Sequence, residues 1–414
     1  MNTRVFRGDL SGAAELIAAG SLVAVPTETV YGLAGNGLDV EAVERIYEVK
    51  GRPEVKPLSL MVPGPEAMEL YCADVPPQAH ALAERFWPGP LTIILASKPL
   101  VPEIVRAGGA TVGLRCPDHP DTLELLRRCG VPLAAPSANP SGAPSPKTAG
   151  EVLSYFDGLI EGVIDGGECG LGRESTIIDL SSRPFRILRQ GALPAEEIAA
   201  ALAERLTVIG ITGGSGTGKT TALRVLEGMG AMCIDCDELY HELTRSSAPL
   251  REAIIARFGP EMYAGGELDR KALGRVVFSD GAALRDLNAI THCFIGEELR
   301  RRLGEYAMSG GELAAIDAVA LIEGGADELC TAVYGVLAPR ELRLKRIMAR
   351  EGISAEYAAL RIDAQQPDVF YTGHCSAVLV NDGSKEDFQK LCEAEFREVI
   401  EDGRKTRLQE RAVL

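Results

Sequence analysis

The sequence predicts two α/β units joined end to end, the second a parallel sheet flanked by helices. Three observations predict this. Strand-like and helix-like stretches alternate along all 414 residues, the pattern of α/β folds. The stretch Thr207–Thr221, TVIGITGGSGTGKTT, sets an apolar β-rich run (Val208–Ile211) before Gly213-x4-Gly218-Lys219-Thr220, with a helix expected over Thr221–Met229. Strand, glycine loop and helix in that order are the context a Walker A motif requires. Finally, 206 residues precede a strand that in Walker A proteins often lies near the chain start, enough for a domain of their own. The expected boundaries are 1–205 and 206–403, with a charged tail at 404–414.

The loop carries its own chemistry. Glycines let backbone N–H groups turn inward around an anion, and the helix N-terminus adds partial positive charge. Gly213, Gly214, Ser215, Gly216, Thr217, Gly218, Lys219, Thr220 and Thr221 are therefore the candidate ATP site. Lys219 is expected to reach the β/γ-phosphates, and the Thr220 hydroxyl to ligand Mg²⁺. A glycine-rich turn with a chance lysine is the plainer reading, and the flanking strand and helix weigh against it. The motif names the phosphate donor, not the acceptor.

Composition narrows the classes. The net charge of -16 divides evenly, with 18 Lys/Arg against 26 Asp/Glu in residues 1–206 and 25 against 33 in the rest. Neither half reads as a polyanion-binding surface, so strong direct nucleic-acid binding is not expected. Ten scattered cysteines fit a reducing cytoplasm better than a disulfide scaffold. Cys233-x-x-Cys236 lacks a second pair for zinc and reads as two buried thiols. The start, MNTRVFRGDL, has no apolar core of a signal peptide, and no run of 18 apolar residues predicts a membrane span.

In the first half, helices are expected over Ser11–Ala19 (capped by Ser11), from Asp39 as cap through Val49, and over Pro76–Phe86, Asp121–Arg128 and Pro194–Arg205. Strands are expected at Leu22–Val25, Leu58–Val62, Leu91–Ala96, Thr111–Arg115, Val131–Ala135, Ile177–Leu180 and Phe185–Leu188. Two rigid polar loops follow strands: Pro26–Gly32 and Pro136–Gly142. Lys50, Arg52 and Lys56 fall within seven residues, stiffened by Gly51, Pro53 and Pro57. Such a loop can grip a triphosphate or carboxylate, or be merely solvated.

The segments PTETVYGL, YEVKGRPEVKPLSL, FWPGPLTIIL, TVGLRCPDHP, APSANPSG, RESTIIDL and ILRQGAL together resemble the YrdC-type threonylcarbamoyl-AMP synthase family over nearly all of residues 10–195. The resemblance implies a twisted open sheet with a concave cationic cavity. It implies a reaction joining L-threonine, bicarbonate and ATP into threonylcarbamoyl-adenylate and pyrophosphate, the product feeding tRNA-modification machinery. Lys50, Arg52, Ser137 and Asn139 match the family's KxR…SxN signature. By the same resemblance Arg52, Lys56, Thr111, Asn139 and Arg189 face ATP, and Thr29, Arg115, Ser137 and Ser175 face threonine. A carbamate attacking an α-phosphate needs no covalent nucleophile, so catalysis rests on positioning anions and neutralising charge. His80 and His119 read as surface or structural residues. A nucleic-acid-binding module of the same fold is the alternative, and the acidic charge without an aromatic platform argues against it.

In the second half, strands are expected at Ala231–Asp235, Leu313–Ile322, Val333–Ala338 and Ala377–Val380. Helices are expected at Ser246–Phe258, Asp269–Phe278, Leu284–Leu303, Pro339–Ala349, Ser354–Gln366 and Lys385–Glu401. Asp235 and Asp237 close a strand on the ligand-binding side of a parallel sheet, suiting base and Mg²⁺ work, with helix capping by Asp237 also open. GITGGSGTGKTT, MCIDCDELYHEL, RFGPEM, LDRKALGRVVF, LNAITH, DAVALIE, IMAREGISAEYAALRIDAQ and VLVNDGS resemble dephospho-CoA kinase over roughly residues 207–400. The resemblance implies transfer of the ATP γ-phosphoryl group to the ribose 3′-hydroxyl of dephospho-CoA. Asp237 matches the proposed base, Arg361 a phosphate clamp, and Asp235 and Asp317 acceptor or metal positioning. The chain departs from that family at His292-Cys293, in DAVALIE without a proline, and in Asp368–His374, whose only basic residue is His374. Another small-molecule kinase and a non-catalytic ATP-binding module are the alternatives.

Overall fold

The computed structural model describes residues 2–264 and 266–413; the side chains of Ala264 and residues 404–413 lie outside that description. Two compact units meet in sequence between Leu202 and Ala203.

The first unit is built on ten strands: β1 (Arg4–Phe6), β2 (Val23–Val25), β3 (Gly32–Asn36), β4 (Ser59–Met61), β5 (Leu91–Ala96), β6 (Thr111–Arg115), β7 (Leu133–Ala134), β8 (Gly162–Ile164), β9 (Thr176–Asp179) and β10 (Arg186–Arg189). They form one mixed sheet in the order β1-β8-β2-β3-β7-β4-β6-β5-β9-β10. β4 and β6 run parallel, while β5 runs antiparallel to β6. Helices Ser11–Ala18 and Pro120–Cys129 pack Ala13, Ile17, Leu125 and Leu126 into a core with Val23, Val25 and Ile164. Helix Val40–Lys50 begins where Asp39 accepts from the amides of Glu41 and Ala42, and ends at Gly51 in the left-handed region. That end delivers Lys50 and Arg52 together.

In the second unit, β11 (Thr207–Thr212), β12 (Met232–Asp235), β15 (Leu313–Asp317), β16 (Ala332–Leu337) and β17 (Ala377–Val380) form an all-parallel sheet, with a small hairpin of β13 (Tyr263–Ala264) and β14 (Glu267–Leu268) apart from it. The order is β12-β15-β11-β16-β17. Strand order reverses around β11, and ligands of such sheets bind at the carboxyl ends beside that switch. The closing helix, Lys385–Val413, seats Phe388, Cys392, Phe396 and Ile400 on the sheet at four-residue spacing. Phe396 meets Tyr334 edge-on at 5.1 Å between centroids.

Several elements differ from expectation for local reasons. Ser11 does not cap its helix; its hydroxyl and amide both donate to Asp9, and Leu10 holds the cap position. β3, GLAGN, offers no apolar alternation, because Gly35 sits where a Cβ would come within 2.9 Å of Leu22. The helix expected from Ser246 to Phe258 begins at Ala248, where the Ser247 side chain accepts from the Leu250 amide, and a separate helix, Cys236–Ser246, precedes it. The apolar run after Leu313 is a strand only to Asp317. Beyond it the chain turns, and Leu321 is buried against the space left by Gly210, whose Cβ would lie 2.7 Å away. The closing helix extends past the expected Glu401. The side chains of the expected tail, Arg404–Leu414, lie outside the described residues. Among the described residues no helix is long and apolar enough to cross a membrane.

Candidate functional sites

The first unit has a cavity of about 170 Å³ lined by Arg52, Arg115, Ser137, Glu174, Ser175 and Arg189 among others. Arg115, at the carboxyl end of β6 and 7% exposed, donates to Glu28 Oε1 at 2.7 Å and Thr29 Oγ1 at 2.8 Å. Glu28 is fully committed, since its Oε2 accepts the Asp118 amide at 3.0 Å. Thr29 is buried and does not line the cavity; it acts by fixing the Arg115 guanidinium. Arg189, closing β10, donates to Ser175 O at 3.0 Å, Ser175 Oγ at 3.0 Å and Glu174 Oε2 at 2.9 Å. Ser175 Oγ also meets Thr92 Oγ1 at 2.9 Å. Arg52 spends its guanidinium on the carbonyls of Lys56 (3.2 Å) and Pro57 (2.9 Å), which stiffens the loop. Burial lowers the proton affinity of Arg52 and Arg189, and neither loses its charge.

Lys50, expected to be catalytic, lies buried beneath the cavity's loops. It is 3% exposed, and its ammonium donates to the carbonyls of Ser137 and Asn139. Burial, with Arg52 nearby, pulls its pKa down to about 8. Its ammonium ties the Pro136–Gly142 loop to the end of helix Val40–Lys50. Asn139 is 6% exposed; its amide nitrogen donates to Pro140 O and Ala143 O, and its Oδ1 is buried without a partner. Lys56 is exposed; its carbonyl accepts from Tyr47 and Arg52, and its amide donates to the Pro53 carbonyl. Thr111 opens β6, at the opposite end from Arg115, and does not line the cavity. Five residues of strand separate the two ends by roughly 13 Å. His80 lies 3.3 Å from Glu69, and His119 precedes helix Pro120–Cys129. Glu28 and Glu174 were not singled out from the sequence; both lie inside quoted motifs, and only their proximity to arginines distant in the chain reveals them.

In the second unit the glycine loop leaves the carboxyl end of β11 at the switch point, and helix Lys219–Gly228 follows. Its carbonyls are turned outward and held. Gly214 O accepts from Thr217 Oγ1 (2.9 Å), Ser215 O from Arg343 (3.0 Å) and Gly216 O from Arg346 (3.2 Å). Thr217 O accepts from Arg346 and from Asn381 Nδ2 (2.7 Å). Gln365 bonds both the amide and hydroxyl of Ser215 at 2.8 Å. These contacts fix the path of the loop, and the Ser215 amide is itself taken by Gln365 Oε1. Arg343 and Arg346 went unnoticed in RELRLKRIMAR because a charged helix face reads as solvated. Arg361 instead pairs with Glu351. The segment Asp368–His374 is a short helix whose Tyr371 is buried beside Gly335.

Gly213 has φ +138°, and a Cβ there would lie 2.3 Å from the Val336 carbonyl. Gly213→Ala is expected to destabilise this unit by about 2 kcal/mol or more and to weaken nucleotide binding. Thermal melts with and without ATP check this; an unchanged melt would contradict the geometry.

The acids gather at the neighbouring strand ends. Asp235 and Asp317 face each other in register across β12 and β15. Asp235, not Asp237, caps helix Cys236–Ser246, accepting from the Asp237 amide at 2.8 Å and the Glu238 amide at 3.2 Å. Asp237 is thereby left to line a cavity of about 660 Å³ with Tyr240, Asn288, His292, Cys293 and Arg300. Cys236 is buried and Cys233 half-buried, both free thiols, with burial pushing them up to about 12 and about 11. Asp317 is 7% exposed with Oδ1 unpartnered; burial lifts its pKa to about 6, opposed by Lys219 and reinforced by Asp235 and Asp237. The folded state therefore holds this proton more tightly than the unfolded chain, and stability falls as pH rises from about 4 to about 6. Asp317→Asn is expected to exceed the parent by roughly 2 kcal/mol near neutral pH and to match it near pH 4. Urea denaturation without nucleotide or metal measures this; an equal difference at both pH values would contradict it.

Comparison with known proteins follows the same division. The Sua5/YciO/YrdC family model, described as telomere recombination, matches residues 15–191. The dephospho-CoA kinase family model matches residues 207–387. The threonylcarbamoyl-AMP synthase of Pyrococcus abyssi is 49% identical over 192 residues, 46% of this chain and 56% of its own length. That of Bacillus subtilis is 45% identical over 195 residues, 47% of this chain and 56% of its own length. The chain thus spans about half the length of these synthase relatives. The dephospho-CoA kinase of Geobacter sulfurreducens is 37% identical over 189 residues, 45% of this chain and 96% of its own length. Residues 15–191 belong to the Sua5/YciO/YrdC family and residues 207–387 to the dephospho-CoA kinase family, so the chain is a fusion of the two.

Proposed function

We propose that the chain is a bifunctional enzyme using ATP at two independent sites. The first unit joins L-threonine, bicarbonate and ATP into threonylcarbamoyl-adenylate and pyrophosphate, for use by downstream tRNA-modification machinery. What carries this reading is the convergence of Arg52, Arg115 and Arg189 on one cavity that has hydroxyls but no activated nucleophile. Arg115, held by Thr29 and Glu28, takes the threonine carboxylate, with Ser137 and Ser175 beside it. Arg52 and Arg189 neutralise the phosphates, and Asn139 braces the loop that carries Ser137 through its bonds to Pro140 and Ala143. Bringing anions together and cancelling charge in a partly dry pocket is the main catalytic device.

The second unit transfers the γ-phosphoryl group of ATP to the 3′-hydroxyl of dephospho-CoA. This reading rests on a cavity large enough for an elongated acceptor with Asp237 on its wall, next to the strand end where Asp317 feels the charge of Lys219. Lys219 draws charge from the transferred group, and Asp237 accepts the hydroxyl proton. The residues fit Mg²⁺: the orphaned Asp317 oxygen lies near Lys219, and Thr220 sits in the first turn of helix Lys219–Gly228. Thr220 and Asp317 would hold the ion that accompanies the nucleotide. When bound it supplies charge neutralisation at the phosphates. Ten free thiols suit the proposed cytoplasmic setting.

Product analysis on the purified chain tests both readings. Pyrophosphate release is expected to need threonine and bicarbonate, and ADP release to need dephospho-CoA. ATP binding at the second unit without acceptor-dependent ADP release would make it a binding module.

A further inference from the structure

The cavity of the first unit contains an acid where its proposed ligand carries negative charge. The Glu174 carboxylate accepts from Arg189 Nη1 at 2.9 Å through Oε2 and from Ser145 Oγ at 3.2 Å through Oε1. Its charge also reaches Lys50 and Arg52, raising the proton affinity of both. Glu28, the other acid facing an arginine here, is a fixed partner: its side chain is 14% exposed and both oxygens take short bonds. Glu174 and Arg189 are each 40% exposed on their side chains, and the Ser145 bond is long. Glu174 is therefore held by contacts that water or a stronger anion can replace.

We propose that Glu174 is a displaceable internal counter-anion. In the nucleotide-free protein it occupies the place of a phosphate on Arg189. When the polyphosphate of ATP enters, the carboxylate leaves Arg189 and releases Ser145, and with it the tether on the segment that follows the Pro136–Gly142 loop. No bond is made or broken; one ionic partner replaces another. The inference rests on the synthase reading of this cavity. Its consequence is the opposite of that of a residue that binds ATP: neutralising Glu174 improves nucleotide affinity, because the triphosphate no longer competes with a carboxylate for Arg189 and no longer meets its repulsion.

The test is Glu174→Gln in the full chain, following threonine- and bicarbonate-dependent pyrophosphate release. KM for ATP is expected to fall about tenfold, KM for threonine to stay within about twofold, and the ATP dependence to become more sensitive to added salt. Ser145→Ala, which removes only the tether, is expected to lower KM for ATP two- to threefold. ADP release by the second unit in the same preparation reports that the protein is folded. An unchanged or raised KM for ATP, loss of turnover, or a raised Mg²⁺ requirement in Glu174→Gln would overturn the proposal, making Glu174 a brace or a metal ligand. Absence of pyrophosphate from the parent protein would instead overturn the synthase reading itself.

Discussion

Lys219→Ala is expected to lower dephospho-CoA-dependent ADP release about 10³-fold or more, while pyrophosphate release by the first unit stays within about twofold. Lys219 begins the helix that leaves the glycine loop, and its charge is felt at Asp317. It is the one loop residue whose side chain can follow charge onto the leaving phosphate. A factor of 10³ corresponds to about 4 kcal/mol of transition-state stabilisation, within the range for one charged donor in a protected site. The substitution leaves the outward grip on the loop intact, since Arg343, Arg346 and Asn381 hold carbonyls at Ser215, Gly216 and Thr217. The fold is therefore expected to survive. Retention of a tenth or more of the ADP rate would contradict Lys219 as the charge-neutralising residue.

Arg52→Ala is expected to produce the mirror result: pyrophosphate release falls about 10²–10³-fold and ADP release is unaffected. Arg52 follows the left-handed Gly51 at the end of helix Val40–Lys50, and it lines the cavity. Its bonds to Lys56 and Pro57 carbonyls fix its direction without cancelling its charge. Removing it takes away one of three arginine charges on the cavity wall, and losing one preorganised donor costs about 3–4 kcal/mol in a site of this kind. Stability is expected to change by less than about 1 kcal/mol, because the side chain is only half-buried and its partners can turn to water. Steady-state rates against ATP check the effect, and near-parental turnover at saturating ATP would contradict it.

Much of this was legible in the chain because it is written in local pattern. β5, β6 and β17 lie where their apolar runs end, and Asp39 caps its helix as expected. The glycine loop announces itself by spacing. Other features were not legible because they depend on partners far away in sequence. β3 is glycine-rich for packing reasons and shows no alternation. Lys50 matches a signature, but only the folded chain shows that its ammonium holds the carbonyls of Ser137 and Asn139. Asp235 and Asp237 were read as a pair, whereas the start of the helix divides them, one capping and one facing the cavity. The Thr111 expectation carried no signal about which end of β6 meets the cavity. The arginines that shape the phosphate loop sit more than 120 residues from it.

The most direct test of two independent ATP-using sites in one chain is to follow both products from a single preparation. Parent, Lys219→Ala and Arg52→Ala proteins receive ATP and Mg²⁺ with threonine and bicarbonate, with dephospho-CoA, or with all three. The account predicts that each substitution silences one product and spares the other, and that the parent releases pyrophosphate and ADP each only with its own co-substrate. Loss of both products from either folded variant, or ADP release indifferent to dephospho-CoA, would contradict it.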